Sequence, residues 1–403
     1  MGLLMRKYQC GYECVRWRRG RGIGRALLPF SHGGVWLMMF REEMRAPEEY
    51  TYLNTAATSP LPRFVCGAVD SFMESRARCA ECAWDAWMEH VTLARDRVAA
   101  LIGASRDEIA FLKNTGEGLN TACAMMGPRG EVVTTGEEFP SNFLPWAASH
   151  RTVRTVAPRE DGQYLVEDFE EAIGTQTSVV SLSEVTYTTG ARLPTKDIAS
   201  LAHDNGALVV SDAVQALGAV RMDVRELGID ILCCGGHKWL MSPFGVGIFY
   251  LSSELLDRYD PPYVGWASLE DDTDFSLSNT RLAASARKVE IGNLNFAGIY
   301  GLSASVGAML AYGPDRLEDE VLTLAGYLKK RLGAAGLAVT TPPKDQAGIV
   351  SYRSAHPAQT VSALMRRRIV VAERGGVRIS PHVWNTKEEL DAAVEAIVEV
   401  EEA

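Results

Sequence analysis

The run Cys233-Cys234-Gly235-Gly236-His237-Lys238-Trp239-Leu240 places a lysine in an apolar, glycine-rich turn, and no other lysine occurs between Lys196 and Lys288. A lysine in such surroundings loses its proton more readily than one in water and can attack a carbonyl carbon to form a Schiff base. Alone, a Gly-His-Lys triplet more often reads as a surface loop. Upstream, Val209-Val210-Ser211-Asp212-Ala213-Val214-Gln215 is a β-branched strand that ends in an acid. A strand-end aspartate alone can be a helix cap, but facing a reactive lysine it acquires a second reading. A pyridoxal phosphate enzyme needs both groups: a lysine to hold the cofactor, and a carboxylate to keep the pyridine nitrogen protonated while it drains electrons from the substrate α-carbon.

Two further segments suit the same ligand. Lys113-Asn114-Thr115-Gly116-Glu117-Gly118 leads into a helix, and free amides at a helix start attract phosphate. Glu137-Glu138-Phe139-Pro140-Ser141-Asn142 follows a strand and offers Phe139, an aromatic face for a planar ring that in isolation would more often be core.

These residues need a scaffold. Short apolar runs, Val132 to Thr135, Val153 to Val156, Val179 to Val185, Ala207 to Ser211, Ile229 to Cys234 and Val246 to Leu251, alternate with helix-patterned stretches such as Ala86 to Ile102 and Lys196 to Asn205. That rhythm predicts an α/β fold with a mainly parallel sheet covered by helices on both faces. Polar residues at the carboxyl ends of its strands then point into a ligand crevice. After Ala297 come helices Ile299 to Ala311 and Arg316 to Ala335. Short strands near 337–341, 349–353, 369–372 and 377–380 and a last helix Lys387 to Val400 follow. The expected domains are therefore a basic extension (1–45), a large cofactor-binding domain (46–296) whose first segment touches the small one, and a small α+β domain (297–403).

Composition excludes several classes. The 403 residues carry 41 Lys plus Arg against 51 Asp plus Glu, a net charge of −10, so nucleic acid and anionic membrane are not expected partners. The apolar run Gly34 to Phe40 is too short for a membrane span. The eight cysteines show neither paired metal-ligand spacing nor a secretory context, so reduced thiols, no metal and a cytoplasmic location are expected. Before Glu42 the sole acid is Glu13, whereas Arg6, Arg16, Arg18, Arg19, Arg21 and Arg25 accumulate. This arm is expected to be dispensable, and deletion to Met44 to leave folding intact.

Together the four elements, in this order, resemble the class V aminotransferase family of fold-type-I pyridoxal phosphate enzymes. The likeness runs from Tyr52-Leu53-Asn54-Thr55-Ala56-Ala57 to Arg378-Ile379-Ser380-Pro381-His382-Val383-Trp384-Asn385. It implies a large domain with a seven-stranded type of sheet and a homodimer with shared active sites. Lys238 would hold the cofactor as a Schiff base, Asp212 would pair with its ring nitrogen, and Gln215 and Tyr187 would lie near its phenolic oxygen. Thr115, Gly116 and His237 would serve the phosphate, with Phe139 stacking on the ring where desulfurases carry a histidine. Arg378 would clamp the substrate carboxylate, with Asn54 also at the substrate. Glu290-Ile291-Gly292-Asn293 resembles the stretch that reaches the partner subunit's phosphate, with Asn293 in place of a threonine, and Gly235 stands in place of a serine. Gly265 and Trp266 resemble a pocket-lining pair.

The segment Arg368 to Val377 contains no cysteine, where desulfurases of this family carry the thiolate nucleophile on which a persulfide depends. The expected reaction is chemistry at the substrate α-carbon leaning to β-elimination, as in a C–S lyase. Transamination or epimerisation is the alternative, and a noncatalytic scaffold that engages a partner through the arm or Arg366-Arg367-Arg368 is more remote. Arg374 stays open between a second anion site and a surface residue.

Overall fold

A computed structural model describes residues 40–44, 46 and 49–402 of the chain. The expected extension 1–45 therefore lies mostly outside the described residues.

The β-branched runs become the strands of one seven-stranded sheet: β2 (Ile109–Leu112), β3 (Glu131–Thr135), β4 (Val153–Val156), β5 (Thr177–Ser183), β6 (Leu208–Asp212), β7 (Ile231–Gly235) and β8 (Gly247–Leu251). Their order is β2-β8-β7-β6-β5-β3-β4; β4, β3, β5, β6 and β7 run parallel, and β8 runs antiparallel to both of its neighbours. The mainly parallel α/β reading holds. Val132, Val179, Val210 and Ile231 pack beneath one face, and Val133, Val180 and Val209 beneath another, as expected for a parallel sheet buried on both sides. Register sets Asp212 between Ser183 of β5 and Cys233 of β7, so three carboxyl ends converge on one crevice.

Helices α1 (Arg63–Cys79) and α2 (Trp84–Ile102) precede β2, α3 (Thr115–Met126) and α4 (Pro140–Ala148) follow β2 and β3, and α5 (Thr195–Asp204) precedes β6. Helix α6 (Phe296–Tyr312) lies against α1 and α2, with Phe296 stacked on Phe72 at 5.8 Å. Its residues Ile299, Leu302 and Val306 share the core of Val98 and Ile109. Helix α7 (Pro314–Ala334) begins in that core through Leu317 and Val321 and ends in a second one through Leu324, Leu328 and Leu332. Helix α7 thus passes from one core into the other, while the apolar face of α6 packs on α1 and α2. No single described helix is long and apolar enough to cross a membrane; the bent pair α6 and α7 meets that criterion jointly, with the apolar residues above buried in protein.

The second core is roofed by β9 (Ala338–Val339), β10 (Val350–Arg353), β12 (Ala372–Glu373) and β13 (Val377–Ile379) in the order β12-β13-β10-β9, with α8 (Pro357–Arg366) and α9 (Lys387–Glu401) packed on it. Strand β1 (Thr51–Tyr52) pairs in parallel with β11 (Ile369–Val370). The single strand expected over 369–372 is therefore two, because Ile369 and Ala372 serve different sheets. Residues 40–44 also correct an expectation. Phe40 and Met44 are 4% and 2% exposed, Phe40 meets Tyr312 edge-on at 5.4 Å, and Arg41 bonds Trp384 O and Glu389. They belong to the fold, not to a dispensable arm.

Candidate active site

The loop after β7 is tied down before it presents its lysine. Gly235 N donates to Thr115 Oγ1 at 2.9 Å, and His237 O accepts from Ser59 N at 2.9 Å and from Thr58 Oγ1 at 3.2 Å. The His237 ring stacks on Phe244 at 4.9 Å. Between these anchors, Lys238 projects into a cavity of about 290 Å³, with Nζ 5.8 Å from the centre of the Phe139 ring. Thr115, Gly116, Phe139, Tyr187, Asp212, Gln215, His237, Lys238 and Arg378 all line it. Residues from β6, from the loops after β2, β3, β5 and β7, and from β13 of the second core thus meet in one place.

Asp212 is 2% exposed and accepts one hydrogen bond from Val214 N at 3.0 Å. Burial raises its pKa to about 7; Glu138 and Glu184 push the same way, while the Val214 amide and Lys238 pull back. Burial lowers Lys238 to about 8, against the pull of Asp212 and with the push of Arg378 and Arg374. Desolvation outweighs the attraction of the pair on both sides, so each group is held near the point where it changes charge. Burial and the neighbouring Lys238 bring His237 down to about 4.

Arg378 sits on β13 between Ser351 and Ala372. It is 2% exposed; Nη1 donates to Tyr187 O at 2.8 Å, and the buried Nε has no partner. Burial, then Arg374, lowers its pKa to about 10. An arginine held this way at a cavity wall has a donor still to satisfy, which a carboxylate can do. Gln215 is committed at both ends, donating to Ala56 O at 2.9 Å and accepting from Trp239 Nε1 at 3.0 Å. It braces the wall between β6 and residue 56.

Two helix starts open on the cavity. At α3, Asn114 Oδ1 caps Glu117 N at 2.9 Å, leaving Thr115 and Gly116 at the positions whose amides lack intrahelical partners. At α4, Glu138 accepts from Ser183 N at 2.9 Å and from Asn142 Nδ2 at 3.0 Å, which holds the adjoining Phe139 in place. Phe139 meets Tyr187 edge-on at 5.3 Å.

Two expected residues are not in the lining. Asn54 bridges to Ser380, and its buried Oδ1 lacks a partner. Asn293 lies in a neighbouring groove of about 600 Å³ that shares Asn114 and Gly116 with the cavity. Its segment is fixed by Glu290, which takes two bonds from Arg95 Nη2 at 2.7 and 2.6 Å and one from Phe111 N at 2.7 Å. Gly265 lies over this segment so closely that a Cβ would come 1.9 Å from Ile291 O. Trp266 joins Asn293 around a small void and stays out of the lysine cavity. Five lining residues were given no role from sequence: Ala56, Ala57, Asn114, Val214 and Ser141. The helix-opening Pro140-Ser141 pair was a usable signal for the last. Arg374 also lines the cavity.

No cysteine lines the cavity. Cys233 and Cys234 are buried, and burial raises both thiols well above their ordinary value. Among the described residues no group of three or more His, Cys, Asp or Glu side chains could hold a metal.

The residues present fit pyridoxal phosphate on three observations. Asp212 is a buried carboxylate with a single backbone donor, Arg378 Nε is an orphaned donor, and two helix starts face an aromatic and an amine across one small cavity. Comparison with known proteins agrees. A family model described as Aminotransferase class-V matches residues 51–393. A probable cysteine desulfurase of Methanothermobacter thermautotrophicus is 30% identical over 89% of this chain and 97% of its own. An isopenicillin N epimerase of Amycolatopsis lactamdurans is 27% identical over 89% and 97%. Among solved structures, the apo cysteine desulfurase of Thermococcus onnurineus NA1 superposes with a TM-score of 0.83 at 28% identity, covering 91% of this chain and 98% of that one.

Proposed function

The chain belongs to the class V aminotransferase family, whose members use pyridoxal phosphate, and from that premise we propose that it acts on an α-amino acid to eliminate a substituent from the β-carbon. The observation that carries this reading is Lys238 and Asp212 lining one cavity, each near its charge-changing point, with Phe139 and Arg378 beside them.

Pyridoxal phosphate, when bound, supplies an electron sink conjugated to the substrate's amino group. Lys238 is the amine that holds it. As a free amine at the cavity wall, Lys238 would be placed to take and return the substrate α-proton. The Asp212 carboxylate keeps the ring nitrogen protonated, and a cationic partner there relieves its own burial. Thr115 and Gly116 amides, with Ser141 at the second helix start, receive the phosphate; His237, low in pKa, stays neutral beside it. Tyr187 is the phenol available to the cofactor oxygen, and Gln215 holds the wall behind it. Arg378 takes the substrate carboxylate with its free Nε and one Nη, a fork that lysine cannot offer. Asn54 serves the substrate indirectly, by fixing the 54–58 turn.

Persulfide chemistry of the desulfurase kind lacks its nucleophile here: the chain has no cysteine after Cys234, and the 371–377 stretch is a tight hairpin. A departing sulfur or related group then leaves directly from the β-carbon. A homodimer is part of this proposal. Tyr263 and Ile291 are exposed in the lining of the groove that holds Asn293, and Phe244 and Val264 are exposed beside its residues Gly245 and Tyr263 in the chain; exposed apolar side chains grouped in this way suit an interface. Cover of this groove by a second chain would turn Asn293 toward the other subunit's phosphate. We place the protein in the cytoplasm.

The visible absorption spectrum of the cofactor-loaded protein, recorded with a panel of amino acids, tests this. Recovery of the starting spectrum while a 2-oxo acid, ammonia and the departing group accumulate supports elimination. Conversion of the cofactor to its amine form with release of an intact oxo acid makes it an aminotransferase, and loss of optical purity alone makes it an epimerase. Failure of Lys238 to bind the cofactor at all overturns the reading.

A further inference from the structure

The cavity holds one cation more than the proposed chemistry uses. Its charged lining is Lys238, Arg374 and Arg378 against Asp212. On the reading above, on which this inference rests, Lys238 serves the cofactor, Asp212 the ring nitrogen and Arg378 the α-carboxylate. Arg374 is left over, and among the described residues no carboxylate is paired with it. Its side chain is exposed at the cavity mouth, and the turn that carries it is fixed. It occupies the turn between β12 and β13, its amide donating to Gly376 O at 2.9 Å and Nη1 to Glu373 O at 2.6 Å. Gly375 adopts φ +71°, which other residues reach only with strain, and a Cβ on Gly376 would come 2.5 Å from Tyr352 O. The hairpin therefore depends on its glycines to hold the arginine where it is.

Ala372 pairs with Arg378 across β12 and β13, and Arg374 follows two residues on, in the turn, so that both arginines reach the cavity lining. Both guanidiniums line the cavity that holds Lys238; Arg374 raises the cost of charge on Arg378, and both raise it on the lysine. Two like charges on one wall are unfavourable until anions arrive, and a single α-carboxylate satisfies one of them. We infer that Arg374 binds a second anionic group, so that the preferred substrates are α-amino acids whose side chain itself carries a negative charge.

Succinate and butyrate have equal chain length and differ by one carboxylate, which makes them probes of the cofactor-loaded enzyme by calorimetric titration. Succinate is expected to bind about tenfold or more tighter than butyrate, the scale of one charge-assisted pair. The R374Q variant should erase that preference, with succinate affinity falling far more than butyrate affinity, and R374K should restore part of it. In turnover, R374Q should raise KM for an acidic amino acid about tenfold more than KM for a neutral one. Equal affinity for the two probes in wild-type enzyme, or an equal loss of both in R374Q, overturns the inference and leaves the reaction assignment standing. A protein that does not take up pyridoxal phosphate overturns both.

Discussion

At the scale of residues, Asp212 and Lys238 are an acid and a base whose burial makes their charged forms costly in the protein alone. Asp212, raised to about 7, and Lys238, lowered to about 8, define a window for cofactor capture. Capture needs the lysine neutral and the carboxylate ionised. Below pH 7 both conditions fail; between 7 and 8 the carboxylate is ionised while the lysine loses its proton; above 8 both are met. The second-order rate of pyridoxal phosphate uptake by apoenzyme should therefore climb through this interval and level off above it. The D212N variant should lose the dependence on the lower pKa and bind cofactor that turns over at least 100-fold more slowly. Stability follows from the same two shifts, with its own signs. The raised Asp212 withdraws stability as pH rises toward 7, and the lowered Lys238 restores it as pH rises beyond 8. A flat uptake profile across pH 6–9 would show that these two groups do not govern capture. K238A should take up cofactor without a lysine-linked chromophore and show no turnover.

At the scale of elements, the loops are positioned by pairs that a linear reading does not reveal. Lys238 and Asp212 stood out in the sequence because the chemistry demands those residue types at or just after the ends of adjacent strands, whereas Arg378 was named only through the family resemblance; the structure lines one cavity with all three. The places of Ser141 and Asn293 were not legible. The first joins the cavity because Glu138 ties α4 to β5; the second misses the lining because Glu290 fixes its segment to Arg95 and β2. Neither tie is encoded by local spacing. The strands themselves were readable from β-branched runs, whereas the split at Val371 and the placement of α6 depend on which partner each surface meets. Glu290 is the element-scale test. Its side chain is 2% exposed and that of Arg95 9%, so E290A leaves a buried guanidinium unpaired and should cost about 3–5 kcal/mol. Chemical denaturation of the apoenzyme reads that loss. A change below about 1 kcal/mol would mean that the 290–293 segment is held by Gly265 and its neighbours instead.

At the scale of the molecule, two cores meet along α7, and both ends of the described chain are stitched across them. Truncation through Met44 removes two buried side chains and the Arg41 contacts to Trp384 and Glu389, and should cost about 3 kcal/mol or more at roughly 1.5–3 kcal/mol per buried apolar side chain. The shared site makes a sharper demand. If Asn293 serves the phosphate of the other subunit, N293D sets a negative charge against that phosphate in the partner's cavity and leaves its own lysine intact. The K238A chain has the opposite defect. Co-refolding the two inactive variants in equal amounts gives half hybrids by random pairing of a two-fold dimer. In each hybrid, one cavity combines the intact Lys238 of one chain with the intact Asn293 of the other, and the second cavity carries both lesions. Activity should therefore return to about a quarter of wild type, in a species of twice 44.0 kDa. Without sharing, every N293D cavity keeps its own lesion whichever chain it meets, and mixing restores nothing.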